Sequence, residues 1–461
     1  MNEKDNLPES NRRDFLKNTS LATLMAMMGG VELQAQDAPK PATNADSTLT
    51  PIPPPPPVSY GVVGLGDRGR EILHTLSILP SSPVVAICDN YARSMRRAGE
   101  EAPKAKQYPD YKQLLADPSV QAVVVATPTG LHRDIVVDAL AAGKHVYCEA
   151  PLGGTIEDAK AIAKAARDAV KVVFQAGLQE RSHPQRNFLV PFIRSGAIGA
   201  NVMGRAQWHK KDSWARTAAN PDREKALNWR LDQNTSPGLL GEVGIHQIDA
   251  AAWFLKNRPL AVTGFSSTIL WKGDHGRDVP DTVQAVFEFP EGANFLYDAT
   301  LCNSFDGQLE VYCGASAAVM VRDCKAWLFK EVDADLLGWE VYARKDVFYK
   351  ETGIALIANG SKQTALGGDA VSLNPYPHPP LYYALEAFTA NAGQIGGAVK
   401  DYIDLYGESD LGALAEKIKA LKTFPAANWR DGLEATVVAL KANEAAVKKE
   451  RIVFQNEWFD L

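Results

Sequence analysis

Short apolar runs alternate with amphipathic stretches between residues 59 and 178. The runs are bounded by turn residues, which is typical of buried parallel strands, and the stretches between them have helical spacing. The alternation predicts an α/β domain with a doubly wound parallel sheet over residues 59–178. Strands are predicted at Tyr60–Val63, Ser82–Asp89, Gln121–Ala126, Lys144–Cys148 and Lys171–Gln175, and helices at His132–Ala142 and Ile156–Val170.

Beyond residue 178 the strands become longer and richer in β-branched and aromatic residues. Because short turns join consecutive strands, residues 179–461 are predicted to form an α+β domain with a mostly antiparallel sheet. Residues 331–380 carry few signals, and 360–380 are predicted to form a long surface loop. Strands are predicted at Asn201–Trp208, Leu260–Leu270, Asp281–Phe289, Ala293–Leu301, Gln308–Tyr312, Ala317–Val321 and Lys325–Phe329, and helices at Asn187–Ser195, Ile245–Leu255, Leu411–Thr423 and Gly432–Lys449.

The first 58 residues are predicted to lie outside both domains. Asn11–Lys17 contains the Arg-Arg pair, Phe-Leu and Lys of a twin-arginine export signal, which predicts a signal over residues 1–35 and a periplasmic or otherwise exported protein. The apolar stretch Leu21–Val31 is far shorter than the roughly 20 residues that span a bilayer, so no stable membrane span is expected after processing. An uncleaved anchor and a chance arginine pair are the alternatives. Residues 36–58 are Pro-rich and predict an extended linker or arm.

Composition excludes several classes of protein. The net charge is −6 and basic runs are absent, which argues against nucleic acid as a partner. The five cysteines have no paired CxxC spacing, so neither a disulfide framework nor a metal site is indicated.

The loop after the first predicted strand reads Gly64-Leu65-Gly66-Asp67-Arg68-Gly69, and Asp89 lies twenty residues beyond its last glycine. In a Rossmann domain, such glycines permit a tight turn, close approach of a pyrophosphate and packing of helix on strand, while the acid binds the adenosine ribose. A carboxylate there repels a 2'-phosphate, so NAD is the expected cofactor. Arg68 and Arg93 keep NADP open as an alternative.

Three further segments accompany the glycine loop. They are Ala126-Thr127-Pro128 with His132, Gly143-Lys144-His145-Val146 leading to Glu149-Ala150-Pro151, and Gly244-Ile245-His246-Gln247-Ile248-Asp249. With its motifs in this order, the chain resembles the glucose-fructose oxidoreductase, inositol dehydrogenase and MocA family. The resemblance extends from about Ser59 to the last predicted helix.

The resemblance implies an NAD(P)-binding domain in which Thr127, Pro128, His132 and Glu149 line the cofactor site. It also implies a C-terminal domain whose open sheet packs against the first domain or another subunit, and a sugar- or polyol-like substrate. The Pro-rich arm is similar to the arms through which exported glucose-fructose oxidoreductases embrace a neighbour, so a homo-oligomer is a further expectation.

Dehydrogenases of this family use a Glu-Lys-Pro lysine and a downstream histidine, and here Ala150 replaces that lysine. The candidate catalytic residues are His246 as general acid or base, Glu242 as a carboxylate that would stabilise its imidazolium, and Glu149. His246 as a structural helix cap is the alternative. The candidates to replace the lysine are Lys210 and Lys211, for which solvated surface lysines are the alternative. The candidate substrate contacts, for each of which a structural role is also open, are Gln179, Arg181, His183, Trp229 and Arg230.

The expected function is an exported NAD(P)-dependent oxidoreductase acting on a carbinol of a sugar or sugar derivative. Its cofactor should be tightly bound, because no free NAD pool is expected outside the cytoplasm. An alternative is a redox-neutral NAD-dependent glycoside hydrolase or lyase, since such exported relatives also lack the lysine, although their Tyr-Pro-Thr-His-Gly-like segment does not occur here. A second alternative is a non-catalytic sugar- or nucleotide-binding homologue.

Overall fold

The computed structural model describes residues 56–322, 325–331, 344–345, 352–356, 376–408 and 410–461. The predicted signal, nearly all of the Pro-rich segment and most of the predicted loop at 360–380 lie outside the described residues. In the part that is described, no helix combines the length and the apolar character that crossing a membrane requires.

The first sheet has six parallel strands, and helices cover both of its faces. Its strands are β1 (Tyr60–Val63), β2 (Val84–Cys88), β3 (Lys106–Tyr108), β4 (Ala122–Val125), β5 (His145–Cys148) and β6 (Phe174–Ala176), and its helices are α1 (Asp67–Ile78), α2 (Ala92–Glu101), α3 (Tyr111–Ala116), α4 (His132–Ala141) and α5 (Ile156–Asp168). The order β3-β2-β1-β4-β5-β6 confirms the doubly wound sheet. Strand β3 is absent from the predicted strands because its three residues form no apolar run and two are exposed.

The carboxyl ends of neighbouring strands meet at one edge of this sheet. Hydrogen bonds continue beyond the strands: the amide of Gly64 donates to the carbonyl of Cys88 at 2.9 Å, and that of Ala126 donates to Val63 at 2.8 Å. The order of strands reverses between β1 and β4, which is where parallel sheets of this kind bind ligands. The loops after β1, β2, β4 and β5 therefore share one edge, and this edge holds the candidate site.

The second sheet has ten strands, and every pairing except the parallel one of β7 with β10 is antiparallel. This confirms the predicted mostly antiparallel sheet. The strands are β7 (Asn201–His209), β8 (Ala261–Ser267), β9 (Thr282–Glu288), β10 (Asn294–Thr300), β11 (Gln308–Gly314), β12 (Ala317–Arg322), β13 (Lys325–Lys330), β14 (Arg344–Lys345), β15 (Thr352–Leu356) and β16 (Arg451–Val453), in the order β14-β15-β13-β12-β11-β7-β10-β9-β8-β16.

Helices follow and interrupt the second sheet. They are α6 (Pro184–Phe192), α7 (Pro221–Leu227), α8 (Ile245–Leu255), α9 (Pro380–Tyr406), α10 (Leu411–Lys419) and α11 (Trp429–Lys448). Helices α8 and α11 cover one face of the sheet, where Phe287 and Phe295 are fully buried. On the other face Phe265, Val286 and Leu296 remain exposed, so the sheet is open on that side.

The last helices pack on the first sheet. The Phe388 ring of α9 lies 6.0 Å from the ring of Tyr60 in β1, and the Tyr60 hydroxyl hydrogen-bonds Thr389 at 2.7 Å. In α11, the Thr436 hydroxyl accepts a hydrogen bond from the amide of Leu152 at 3.0 Å. The core of the first sheet is therefore completed by the end of the chain, and the division at residue 178 stays a prediction.

Besides β3 and several short elements, α9, β8 and β16 differ from the sequence-based expectation. Helix α9 was not expected, because its residues are buried on several sides and no polar stripe marks a period. Strand β8 ends at Ser267 rather than at Leu270, because the amides of Ile269 and Leu270 donate to the buried Asp281 carboxylate instead of to a strand. The short strand β16 carries no strong apolar pattern.

A buried ion pair fastens α6 to β11. The Arg186 guanidinium donates to both oxygens of Glu310 at 2.6 Å, and its Nε donates to Glu180 at 2.9 Å. The Arg186 and Glu310 side chains are 6% and 2% exposed, so neither charge is solvated by water when its partner is missing.

Arg186→Met should lower the free energy of unfolding by about 3–5 kcal/mol, because it leaves the Glu310 carboxylate buried without a cation. The double variant Arg186→Met/Glu310→Leu removes both charges and should recover more than half of that loss in denaturant unfolding. A double variant no more stable than Arg186→Met would contradict this account.

Candidate nucleotide and substrate site

The glycine loop between β1 and α1 has the shape that a phosphate group needs. Gly64 has φ +92°, and a β-carbon there would lie 2.6 Å from the carbonyl oxygen of Ala126. A β-carbon on Gly69 would lie 1.9 Å from the carbonyl oxygen of Gly64. Around Gly66, in contrast, no atom lies within 4 Å of such a carbon. Gly64 and Gly69 thus let the loop pack tightly, and Gly66 leaves open space at the N-terminus of α1 where the pyrophosphate of a dinucleotide fits.

Asp89 connects the loop after β2 to the glycine loop. One carboxylate oxygen accepts a hydrogen bond from the Leu65 amide at 2.9 Å, and the other accepts one from the Tyr91 amide at 2.8 Å. Each oxygen has a further lone pair, so the carboxylate can also accept from ribose hydroxyls. The site fits the adenosine end of NAD.

Thr127, Pro128 and His132 lie in and after the loop that follows β4. The Thr127 hydroxyl is buried and has no hydrogen-bond partner within the described chain, as expected of a group that meets a ligand. His132 is buried, with ring nitrogens 3.0 Å from the carbonyl oxygens of Pro151 and Thr127. His132 therefore joins the loops after β4 and β5 to each other and helps to fix their positions at the cofactor site.

Arg68 brings together residues from three loops of the edge. Its guanidinium lies 3.1 Å and 3.2 Å from the two carboxylate oxygens of Glu149, and it donates to the Gln179 side chain at 3.0 Å. Glu71, one turn along α1, accepts a third hydrogen bond at 2.8 Å. The positive charge of Arg68 is therefore held beside Glu149, next to Ala150, where the resemblance implies a lysine.

His246 lies near this charge, in the first turn of α8. Burial and the positive charge of Arg68 lower the pKa of His246 to about 4, so its imidazole is neutral at pH 7. Its Nδ1 is buried and has no hydrogen-bond partner in the described part of the chain. A neutral, unpartnered imidazole can accept a proton from a substrate hydroxyl.

Glu242 lies in the π-helical turn Leu240–Gly244 that precedes α8, with a side chain 5% exposed. One carboxylate oxygen accepts from Thr129 at 3.0 Å and the other from Arg230 at 3.2 Å. Burial raises its pKa, against the opposing effect of Arg230. The predicted stabilisation of an imidazolium by Glu242 is not what the structure shows, since its carboxylate bonds Thr129 and Arg230 and the pKa of His246 is lowered.

Some of the candidate substrate contacts lie beside Arg68 or Glu242, and the others do not. Gln179 accepts a hydrogen bond from Arg68. Arg230 bonds Glu242, and its guanidinium lies 4.6 Å from the centre of the Trp229 ring and 5.9 Å from that of the Trp214 ring. These planar groups stand beside Glu242 and suit a hydroxyl-rich ring. Sequence reasoning passed over Trp214 and Thr129, although Thr129 belongs to the loop that follows β4.

The remaining candidates have other contacts. Arg181 donates to both oxygens of Asp249 at 2.9 and 2.8 Å and to Asp431 at 2.8 Å, which ties its loop to α8 and α11. His183 caps α6 through a hydrogen bond from the Gln185 amide. Lys210 and Lys211 are exposed beyond the end of β7, where the Lys210 amide donates to the Thr300 carbonyl and the Lys211 amide to the Ser304 hydroxyl. In the described residues, no group of three or more His, Cys, Asp and Glu side chains could hold a metal ion.

Two models of one protein family match parts of the chain. The model of the GFO/IDH/MocA oxidoreductase family, NAD-binding Rossmann fold, matches residues 58–177. The GFO/IDH/MocA C-terminal domain model matches residues 191–318. Together the two models cover more than half of the chain.

Two curated proteins and one solved structure illustrate the similarity. Levoglucosan dehydrogenase of Pseudarthrobacter phenanthrenivorans is 29% identical over 276 residues, which cover 53% of this chain and 67% of that protein. The 2,7-anhydro-N-acetylneuraminate hydratase of Escherichia coli is 26% identical over 240 residues, which cover 51% of this chain and 59% of that protein. The structure of a levoglucosan dehydrogenase in complex with NADH and levoglucosan has a TM-score of 0.64 at 19% identity, and covers 86% of this chain and 99% of that one. At that identity, the structural likeness shows a shared fold.

Gly66→Ala should weaken NAD binding by about tenfold or more, roughly 1.4 kcal/mol, because the new methyl group fills the space that a pyrophosphate needs. The melting temperature without nucleotide should not fall, since φ of −66° suits any residue and the methyl group meets no neighbour. Gly397→Ala in α9, which also meets no atom within 4 Å, is the matched control. Equal NAD affinities for the two variants would contradict the proposed position of the phosphates.

Histidine NMR titration should place the pKa of His246 near 4, below the usual 6.5. The unfolded chain would then take up this proton first, so His246 contributes stability at neutral pH that is lost as the pH falls from 6.5 towards 4. Arg68→Gln should raise the pKa of His246 by removing the nearby positive charge, whereas Arg68→Lys should not. An unchanged pKa in Arg68→Gln would show that Arg68 does not act on His246.

Proposed function

Because the chain belongs to the GFO/IDH/MocA oxidoreductase family, whose first domain is an NAD-binding Rossmann fold, we propose that it is an NAD-dependent dehydrogenase of a sugar or sugar derivative. The observation that carries the proposal is the position of Arg68, Glu149 and His246. Arg68 and Glu149 lie at the edge of the first sheet that also holds the glycine loop and Asp89, and the charge of Arg68 acts on His246 at the start of α8. A cation, a carboxylate and a neutral imidazole beside a nucleotide site are the groups that oxidation of an alcohol requires.

Each residue has a proposed role. NAD, which Gly66 and Asp89 would hold, would supply the acceptor for the hydride that leaves a carbon bearing a hydroxyl group. His246 takes the hydroxyl proton, for which its neutral state at pH 7 is suited. Arg68, held by Glu149 at 3.1 Å, supplies the positive charge that favours a negatively polarised oxygen and stands in for the lysine absent at position 150.

Sugar rings are the proposed substrates for two reasons. The Trp229 ring and the Arg230 guanidinium present flat faces beside Glu242, and such faces stack on the apolar sides of a sugar while polar groups bind its hydroxyls. Levoglucosan dehydrogenase, named for an anhydrosugar, is among the relatives. Glu242 is proposed to hold the two halves of the cleft together through Thr129 and Arg230.

A redox-neutral lyase or glycoside hydrolase that keeps its NAD is the second candidate. It is favoured by the hydratase among the relatives and by Ala150 in place of the lysine. Both candidates need the same nucleotide site and the same histidine. They differ in whether NADH accumulates.

We further propose that the protein is exported with its nucleotide tightly bound and forms a homo-oligomer. The twin-arginine pattern at Asn11–Lys17 supports export. The open face of the second sheet supports self-association, because Phe265, Val286 and Leu296 are 59%, 39% and 40% exposed there.

A test begins with denaturation of the purified protein and identification of the nucleotide released, which should be NAD or NADH. The intact protein is then incubated with a panel of sugars and polyols with added NAD while nicotinamide absorbance is followed. Sustained reduction supports the dehydrogenase. Product release without net reduction supports the second candidate and overturns the first.

His246→Ala should lower the turnover rate by roughly 10²–10⁴-fold, because it removes the proton acceptor. NADH affinity should stay within about twofold of the unaltered protein, which separates loss of chemistry from loss of fold. Unchanged turnover would remove His246 from the proposed site.

A further inference from the structure

Residues 212–230, here called the strap, follow β7 and precede the turn that carries Glu242. Side chains brace the strap from within: Asn228 accepts a hydrogen bond from the Arg216 amide at 2.7 Å and donates to the Arg216 carbonyl at 2.9 Å. Glu224 accepts from the Ala218 amide at 2.9 Å. Arg277, outside the strap, donates to the carbonyl of Ser213. These bonds hold the strap in one shape, and Arg277 joins its beginning to the second domain, so little conformational entropy is lost when the strap meets a ligand.

One end of the strap reaches the glycine loop. Arg216 lies 3.8 Å from the carboxylate of Asp67, and Arg70 of α1 lies 2.8 Å from the same carboxylate. Asp67 is the first residue of α1, next to the open space at Gly66. Its negative charge would repel a pyrophosphate there, and Arg216 brings a compensating positive charge from the other domain.

The middle of the strap reaches the loop after β2. The Arg223 guanidinium lies 4.0 Å from the centre of the Tyr91 ring, and Tyr91 is bonded through its amide to Asp89. The Nε of Arg223 is buried and has no partner in the parts of the chain that the structure describes. The Arg223 guanidinium therefore lies on the Tyr91 ring, close to Asp89, and its buried Nε can donate a hydrogen bond to a polar ligand.

The far end of the strap is joined to the loop after β4 through Glu242. Arg230 bonds Glu242, and Glu242 accepts from Thr129 of that loop. Strands β2, β1 and β4 are neighbours in the first sheet, so the strap contacts two adjacent loops directly and is joined to the third through Glu242. These are the loops along which a dinucleotide lies in a sheet of this kind.

We propose that the strap is a clasp over the bound nicotinamide dinucleotide, in which Arg216 and Arg223 hold the adenosine diphosphate half. Arg216 offsets the charge of Asp67 and adds a positive charge over the pyrophosphate. Arg223 and Tyr91 form one wall of the adenosine site. This inference rests on the proposed function only in that the protein binds a nucleotide, and it gives a structural reason for slow release: the strap must lift before the nucleotide leaves.

The test is the rate at which NADH leaves the full-length protein, followed by the loss of its fluorescence when excess NAD displaces it. Arg216→Ala and Arg223→Ala should each raise this rate by about tenfold or more. The melting temperature without nucleotide should not change. Arg258→Ala is the matched control, because Arg258 stacks on Phe459 at 3.7 Å and donates to Asn456 at 3.2 Å near the end of the chain; its release rate should equal that of the unaltered protein.

A mutant cycle tests the wall formed by Arg223 and Tyr91. Tyr91→Phe keeps the ring and should release NADH at the original rate, whereas Tyr91→Ala should release it as fast as Arg223→Ala. The double variant Tyr91→Ala/Arg223→Ala should be no faster than either single one, because the two side chains act as a unit.

The outcomes separate the clasp from the proposed function. Bound NADH with unchanged release rates in Arg216→Ala and Arg223→Ala would overturn the clasp and leave the dehydrogenase standing. An unaltered protein that neither carries nor binds a nucleotide would overturn both. Faster release in the two strap variants, with the Arg258→Ala control unchanged, supports the clasp.

Discussion

The candidate site depends on one steric constraint, the close packing of the glycine loop. Gly69 can approach the carbonyl of Gly64, and Gly64 the carbonyl of Ala126, only because neither has a side chain. This contact fixes the direction in which α1 leaves the sheet, and so directs the helix N-terminus and the Arg68 side chain to the carboxyl edge. Glu149, Gln179 and the cofactor loops are then assembled around a charge whose position backbone packing determines.

How far the sequence predicts this structure follows from how local each signal is. Strands β1, β4 and β5 are continuous apolar runs, and the glycine loop follows β1 directly, so the first sheet and its nucleotide edge are predictable. Helix α9 is not predictable from the pattern of apolar residues, because it is buried on several sides and no single face is apolar. The contact between Glu242 and Thr129 is not predictable for a different reason: the two residues are distant in sequence, and nothing near Glu242 indicates that two loops meet there.

Arginine is the residue by which distant parts of this fold are joined. Arg181 joins a loop of the first sheet to two helices, Arg186 joins α6 to β11, and Arg230 reaches Glu242 in the turn before α8. Its planar guanidinium donates in several directions at once and stays charged when buried, so one side chain can satisfy two carboxylates. The same property makes Arg68 a suitable fixed cation where a lysine is missing.

The return of α9 and α11 to the first sheet has a consequence for how the protein is made. Tyr60 and Leu152 find their partners Thr389 and Thr436 only after nearly the whole chain has left the ribosome. The core around the first sheet is therefore completed only when the last helices are in place. Under the proposed export of the folded protein, this coupling would link nucleotide loading to completion of the whole fold.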